Sequence, residues 1–586
     1  MTHLRAIIAG SRLSFRLIQR SGTRHALSAA ILSVAAAILL GVELLLVREV
    51  VEALQLDSSA TLGIVFFGVA TSLRRVINSA LNEVRWRTVE RIQMSVNTEV
   101  VERATSVSFE RFEDPQFQDV VARALAGSEH AWTAVWGLLG GLNALFGIAT
   151  LGLVLVGIAP DLLPAFALAA ILLLVVAAFR SRIGHGVDWT DTQPERERRY
   201  LERALTSRSE GKEIRLFGSQ SLLLGRHRGL FEQRIVTIDS ASRRRFAQEL
   251  VGNVGLAVVL VGTLLAVADR AGSGQLTLAA AAAAAIGAQQ LAGQLQALAI
   301  AVGSVGEAAL YVADIEQLTN ETIAEPHPPS DLTVLRFDRV SFRYPDTAFD
   351  ALNDLSFELK LGEVVALVGP NGSGKSTVVK LLTGLYSPTA GEIFLESSEG
   401  LLESVRGELR GTVAAVFQDY ARYELSVAEN IRLGHPDQGL TDEQVFDAVR
   451  DVGLEDAVNK LDDGIDSRLG RQFDDSVDFS IGEWQRLAIA RAMVSTAPFV
   501  VLDEPASALD SIGEADVFRR SSELFGRRGV LLLSHRFATV RTADRVLVID
   551  EGKIVERGTH DELVALGGVY AAMYKLQADR TTGEGV

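Results

Sequence analysis

Six apolar stretches dominate the first half of the chain, at about 26–47, 58–80, 131–158, 162–179, 249–268 and 276–306. A helix needs about 20 mostly apolar residues to cross a bilayer. Residues 131–160 and 271–306 carry no formal charge. So many apolar runs in so short a stretch leave too few polar faces to cover a soluble globule, and they predict six membrane-spanning helices. The connections at 81–130 and 180–248 are long and polar with a helical period, so spans two to five are expected to continue well beyond the bilayer. Residues 3–20 read as an amphipathic helix at the membrane surface rather than a cleavable signal.

Three prolines and several acidic residues break this pattern at 315–331, which reads as a linker. Beyond it, short Val/Leu/Ile runs alternate with helical patterns: "EVVALVG", "GTVAAVF", "FVVLDEP" and "GVLLLSH". Such runs predict strands buried on both faces of a mainly parallel sheet, hence an α/β domain. The expected organisation is an all-α six-helix transmembrane domain at 1–314, the linker at 315–331, an α/β P-loop NTPase domain at 332–580 and a tail at 581–586.

Charge orients this picture. Of 57 Lys+Arg and 73 Asp+Glu, 30 of each lie in 1–330, leaving 27 and 43 in 331–586 and placing the whole net charge of −16 in the second half. That balance argues against nucleic acid as a partner. Arginines cluster before the first span, at 74–123 and at 180–245, and positive charge marks the cytoplasmic side. Both termini are therefore expected in the cytoplasm, in a multi-pass protein of the cell (inner) membrane. Cysteine is absent, which removes disulfides, thiolate metal sites and a cysteine nucleophile.

The chemistry begins at "GPNGSGKST". Gly369, Gly374, Lys375 and Ser376 form G-x-x-x-x-G-K-S between a predicted strand and a predicted helix, the context a phosphate-binding P-loop needs. Pro370, Asn371, Gly372, Ser373 and Thr377 complete the loop. Its backbone N–H groups cradle phosphate at a helix N-terminus, Lys375 reaches the β and γ phosphates, and Ser376 ligates Mg²⁺. In "FVVLDEP", an apolar strand ends in Asp503, a second Mg²⁺ ligand. Glu504 stands next to it, where a carboxylate polarises an attacking water.

With these motifs in this order, the second half closely resembles the nucleotide-binding domain of ABC transporters, and the six-span layout of 1–315 fits the same family. The resemblance implies that Tyr344 in "FRYP" stacks on adenine. It implies that Gln418 in "VFQD" senses the γ-phosphate and contributes to the Mg²⁺ site, that Asp510 in "SALD" belongs to the D-loop, and that His535 in "LLLSHR" contacts the γ-phosphate. "FSIGEWQR" matches the signature usually written L-S-G-G-Q/E, with Ser480, Gly482 and Glu483 at a helix start and isoleucine at 481 where glycine is usual. Isoleucine keeps its N–H donor there if its φ is negative.

In this family two such domains sandwich two ATP molecules, the signature of one against the P-loop of the other. The resemblance therefore implies ATP and Mg²⁺ as cofactors and a second half-transporter chain as partner, a homodimer, with a heterodimer as the alternative. It also implies docking elements within 109–120 and 212–218. Fusion of the two domains resembles exporters. The "RRYLERALTSRSEGKEIRLFG" stretch resembles exporters of modified peptides, so a peptide natural product is the expected cargo, with lipids or small drug-like molecules as alternatives. An ATP-gated regulator without efficient turnover is the other class of reading, and the presence of both Glu504 and His535 argues against it. Gln290 and Gln294 share a helix face in the sixth span. They either line a substrate path or bond to neighbouring helices.

Overall fold

The structure, a computed structural model, describes residues 23–56, 58–130, 132–158, 193–319, 332–345, 347–400, 402–404, 411–436, 439–505, 525 and 527–582. The amphipathic segment expected at 3–20, the span expected at 162–179, most of the linker and Asp510 lie outside these residues. The chain divides into two compact units, one of 1–107 and 112–322, the other of 323–586 with 108–111.

The first unit is helical: α1 (Thr23–Gln55), α2 (Thr61–Ser106), α3 (Phe109–Glu113), α4 (Pro115–His130), α5 (Trp132–Ile158), α6 (Gln193–Thr206), α7 (Arg208–Leu216), α8 (Gln220–Gly272) and α9 (Leu278–Thr319). Of these, α3 straddles the division, its Phe109–Arg111 falling in the second unit. Among the described residues four segments are long and apolar enough to cross a membrane: Leu27–Gln55, Thr61–Ser106, Val135–Ile158 and Leu250–Gly272. The sixth expected span falls on α9, which its alanines and glutamines make less apolar. α9 also continues through Thr319, past the start expected for the linker, because helix-breaking proline first appears at Pro326.

α9 packs against α5, α1, α4 and α8. The residues at its contacts are small. Ala283, Ala284 and Ala288 are fully buried beside Leu44, Leu151 and Leu155. A Cβ on Gly287 would stand 2.9 Å from Leu44 Cδ2, and one on Gly137 of α5 would stand 2.9 Å from the Ala301 carbonyl oxygen. Without a hydrophobic driving force between helices in lipid, close backbone approach through small residues is the usual source of packing. Among the ion pairs of the described residues in this unit, one has a buried carboxylate. Arg74 of α2 donates from Nε to Glu43 Oε1 of α1 at 2.7 Å, and Glu43 is buried. Arg74, counted by sequence among the charges of the first cytoplasmic connection, is thus neutralised inside the helical unit.

The second unit holds two sheets. An antiparallel sheet runs β2 (Leu352–Lys360), β1 (Leu332–Phe342), β4 (Ala390–Ser397), β5 (Leu402–Ser404). A six-stranded sheet runs β10 (Lys553–Gly558), β9 (Arg545–Asp550), β3 (Val364–Val368), β8 (Gly529–Leu533), β7 (Phe499–Asp503), β6 (Val413–Val416), parallel except for β10. Alternation along its strands fills two cores. Phe499, Val501, Leu531 and Leu533 face the antiparallel sheet. Val500, Leu502, Val530 and Leu532 face a helical layer that includes α11 (Val427–Arg432), α12 (Asp442–Asp451) and α13 (Ile481–Met493), while α10 (Lys375–Leu382) packs in the first core. With successive side chains pointing to opposite faces, a strand buried on both sides must read as a continuous apolar run, and these do. Phe109 also belongs to this unit, its ring edge-on to Tyr386 at 6.4 Å.

Candidate functional site

The site lies beyond the carboxyl ends of the parallel strands, where open α/β sheets place ligands. Strand register decides which residues meet there. Leu367 of β3 and Asp503 of β7 both pair with Leu533 of β8, and Val416 of β6 pairs with Leu502. The next residues on each strand therefore emerge side by side: the P-loop from β3, Glu504 from β7, His535 from β8 and Gln418 from β6.

The P-loop is shaped by glycine where only glycine fits. A Cβ on Gly369 would stand 2.1 Å from the Ile549 carbonyl oxygen and 2.8 Å from Ser373 Oγ. Gly374, with φ +106°, begins α10, and a Cβ there would stand 2.7 Å from Leu352 Cδ2. Lys375 Nζ donates to the carbonyls of Gly369 and Pro370, both at 2.9 Å, so its ammonium lies folded over the loop. Burial pulls its pKa down, against the pull of Glu504 and Asp503. Ser373 Oγ is buried without a hydrogen-bond partner. Ser376 and Gln418 are exposed.

Asp503 closes β7 at 8% exposure, and its pKa is pushed up to about 6, by burial first and then by the neighbouring Glu504 charge. A carboxylate held this unfavourably is suited to receive a cation. The close glycine cradle, the orphaned Ser373 hydroxyl and the buried Asp503 together fit a nucleotide phosphate with Mg²⁺. Among the described residues no three His, Asp or Glu side chains form a metal cage of their own, so a metal here would share its coordination with phosphate oxygens and Ser376.

Glu504 is the strained residue of the site. Its φ is +49°, in the left-handed region that non-glycine residues rarely enter, and it precedes Pro505, which restricts it further. Such a residue costs on the order of 1–3 kcal/mol unless its surroundings hold it. The Glu504 N–H donates to the Leu533 carbonyl at 2.9 Å. Gln485 Nε2 donates to the Glu504 carbonyl at 3.3 Å. The Glu504 carboxylate meets His535 Nε2 at 2.7 Å. The two residues assigned to the reaction, one from its place after the strand and one from family resemblance, thus stand in direct contact.

The signature segment starts α13 with a capping box. The Ser480 N–H donates to Glu483 Oε2 at 2.7 Å, and the Glu483 N–H donates to Ser480 Oγ at 3.4 Å. Ile481 is 58% exposed and is not among the residues of positive φ, so its N–H stays available at the helix start. Gly482 follows in the first turn. Tyr420 donates its hydroxyl to the Ile481 carbonyl at 2.9 Å.

Tyr344 is half-buried, its hydroxyl 3.3 Å from Thr377 Oγ1, its ring edge-on to Phe342 and Tyr386, with Lys380 Nζ 5.3 Å from its centroid. The aromatic residue expected at the base is thus tied directly to the P-loop helix. Gln294 packs against Gly147 of α5, where a glycine Cβ would stand 2.8 Å from its Cδ, and Gln290 Oε1 is buried without a partner. Packing between helices is where the structure places Gln294. Sequence reading passed over Gln485 and Tyr420. The signal for Gln485 was a lone polar residue among the buried Trp484, Leu487 and Ala488; nothing marked Tyr420.

Strand order, P-loop and carboxylate define a P-loop ATPase domain joined to a helical unit with membrane-spanning segments. The family model for the ABC transporter matches residues 352–507. The lipid A-core flippase of Ralstonia nicotianae is 41% identical over 244 residues, 42% of this chain and 40% of the relative. That of Bordetella avium is 34% identical over 331 residues, 54% of each. The chain spans about two-fifths to one half of the length of these curated relatives. A bacterial Atm1-family ABC exporter with ATP bound superposes with a TM-score of 0.78 at 22% identity, covering 96% of this chain and 98% of that one. The second unit is an ABC transporter ATP-binding domain, and the chain has the fold of an ABC exporter half-transporter.

Proposed function

We propose that this chain is half of an ATP-driven exporter that moves an amphipathic, lipid-like substrate across the cell membrane, with the ATP-binding domain on the cytoplasmic side. The observation that carries the ATPase reading is the 2.7 Å contact between Glu504 and His535 at the strand ends beside the P-loop. Backbone N–H groups at 371, 372 and 374–376 and the Lys375 ammonium bind the phosphates. Ser376, Asp503 and Gln418 would hold Mg²⁺, which would supply positive charge against that of the phosphates. Glu504 accepts a proton from the attacking water as oxygen bonds to the γ-phosphorus and the bond to the β–γ bridging oxygen breaks. His535 holds the carboxylate and lies within reach of the γ-phosphate. Ser480 and the N–H groups at 481 and 482 approach the phosphates bound by a second chain, as anions bind at helix N-termini. Closure of the ATP-loaded pair biases the membrane helices toward the outward state.

The relatives named as lipid A-core flippases support a lipid-class substrate over the peptide that 198–218 suggested. The test uses the full chain in proteoliposomes. Glu504→Gln is expected to bind ATP, accumulate the ATP-loaded dimer and lower hydrolysis by about 10²-fold or more. Unchanged turnover overturns the assignment. Stimulation of wild-type hydrolysis by a fluorescent lipid, and its transfer between leaflets, supports the lipid reading; stimulation by an amphipathic peptide alone overturns it.

A further inference from the structure

Glu504 needs more than its own sequence to hold its geometry. Its φ of +49° is unfavourable for a side chain with a Cβ, and Pro505 after it brings a further steric restriction and no N–H. One side of its peptide is fixed by sheet geometry, through the N–H bonded to Leu533 of β8. The other side is fixed by a residue from a different layer. Gln485 lies in the second turn of α13, is 1% exposed, and reaches from the helical layer to the Glu504 carbonyl with Nε2 at 3.3 Å. An amide is costly to bury among apolar residues unless its polar atoms have partners, and here one of those bonds runs to the backbone of the residue that bears the reacting carboxylate.

We infer that Gln485 is a positioning residue for Glu504: its bond to the Glu504 carbonyl holds the strained backbone and thereby aims the carboxylate. The inference rests on the reading of Glu504 as the group that takes the proton from water. It has a directional consequence. α13 is the same helix whose start carries Ser480, Ile481 and Glu483, and whose Ile481 carbonyl receives the Tyr420 hydroxyl from the segment after Gln418. A shift of α13 along its axis, such as closure against a second chain would produce, is carried by a rigid helix directly to Gln485 and so to the carbonyl of Glu504. The carboxylate is then aimed only when α13 is seated.

The test is Gln485→Met, which keeps shape and volume and removes the donor, in the full chain in proteoliposomes. Loss of aim by a fraction of an ångström is expected to lower kcat by about tenfold to a hundredfold. The KM for ATP and the ATP bound at equilibrium are expected to stay within about twofold of wild type, since no phosphate contact is touched. In a Glu504→Gln background the same change is expected to lower the residual hydrolysis no further, because a carboxylate that is absent cannot be mis-aimed. If Gln485→Met does not fold, Gln485→Glu, with an acceptor where the donor stood, carries the same expectations. A kcat within twofold of wild type, a KM that rises with the fall in kcat, or an equal further loss in the Glu504→Gln background overturns the inference. If Glu504→Gln alone hydrolyses ATP as wild type does, the role of Glu504 itself has failed, and the two failures are told apart.

Discussion

At the scale of single residues the site is built on positions where a methyl group is too much. A Cβ on Gly369 would lie 2.1 Å from a main-chain oxygen of β9, which has no freedom to yield. Gly369→Ala is therefore expected to push the P-loop away from β9. Nucleotide binding should be lost, and stability lowered by about 2–4 kcal/mol, the upper range for one residue. Titration with a fluorescent ATP analogue and thermal unfolding check it; a variant that binds and melts as wild type contradicts this geometry. Ile481 is the opposite case. It replaces a glycine usual in the family, yet its side chain is exposed and its φ is unstrained, so the local structure bears no penalty for it. Any effect of Ile481 belongs to what faces it.

At the scale of elements, the Glu43–Arg74 pair joins α1 to α2 inside the helical unit. Removing one partner strands a charge in apolar surroundings, at about 3–5 kcal/mol, whereas replacing both with apolar residues is often neutral. Arg74→Leu, which leaves the buried Glu43 without its partner, is expected to lower the melting temperature in detergent clearly, and Arg74→Leu with Glu43→Leu to recover most of it. Additive losses would show that the pair is not a unit. The sequence disclosed such elements unevenly. Helices and strands followed from period and composition, and the P-loop from eight residues whose types and spacing have one common physical use. Asp503 and Glu504 were legible because a buried strand ended in charge. The pairing of Arg74 with Glu43 was not, because periodicity assigns a residue to a face without saying which helix that face meets. Gln294 shows the same limit: its face was read correctly as shared with Gln290, and its neighbour, Gly147, came only from the packing. For Gln485 the polar residue on a buried face was legible but its partner was not, since the bond is to a backbone atom and backbone acceptors leave no trace in sequence.

At the scale of the whole molecule, one P-loop and one signature segment per chain call for two chains to complete a site. The purified chain, expressed alone, is expected to have the mass of two copies by light scattering with ATP and the Glu504→Gln change. Wild type should hydrolyse ATP, and Ile481→Gly should preserve or raise the rate. A monomer that gains activity only with a different half-transporter overturns the homodimer in favour of a heterodimer in which Ile481 serves an altered site. An exporter of the kind proposed moves its membrane helices repeatedly, and the alanine-rich face of α9 bears on what such movement would involve. Leucine or methionine at a sliding contact must hop between rotamers each time its neighbours pass. Alanine and glycine have no rotamers to choose. The face of α9 formed by Ala283, Ala284, Gly287 and Ala288 therefore brings no rotamers of its own to its contacts with α1 and α5, and any re-sorting of side chains between these helices falls to the leucines that face it, Leu44, Leu151 and Leu155.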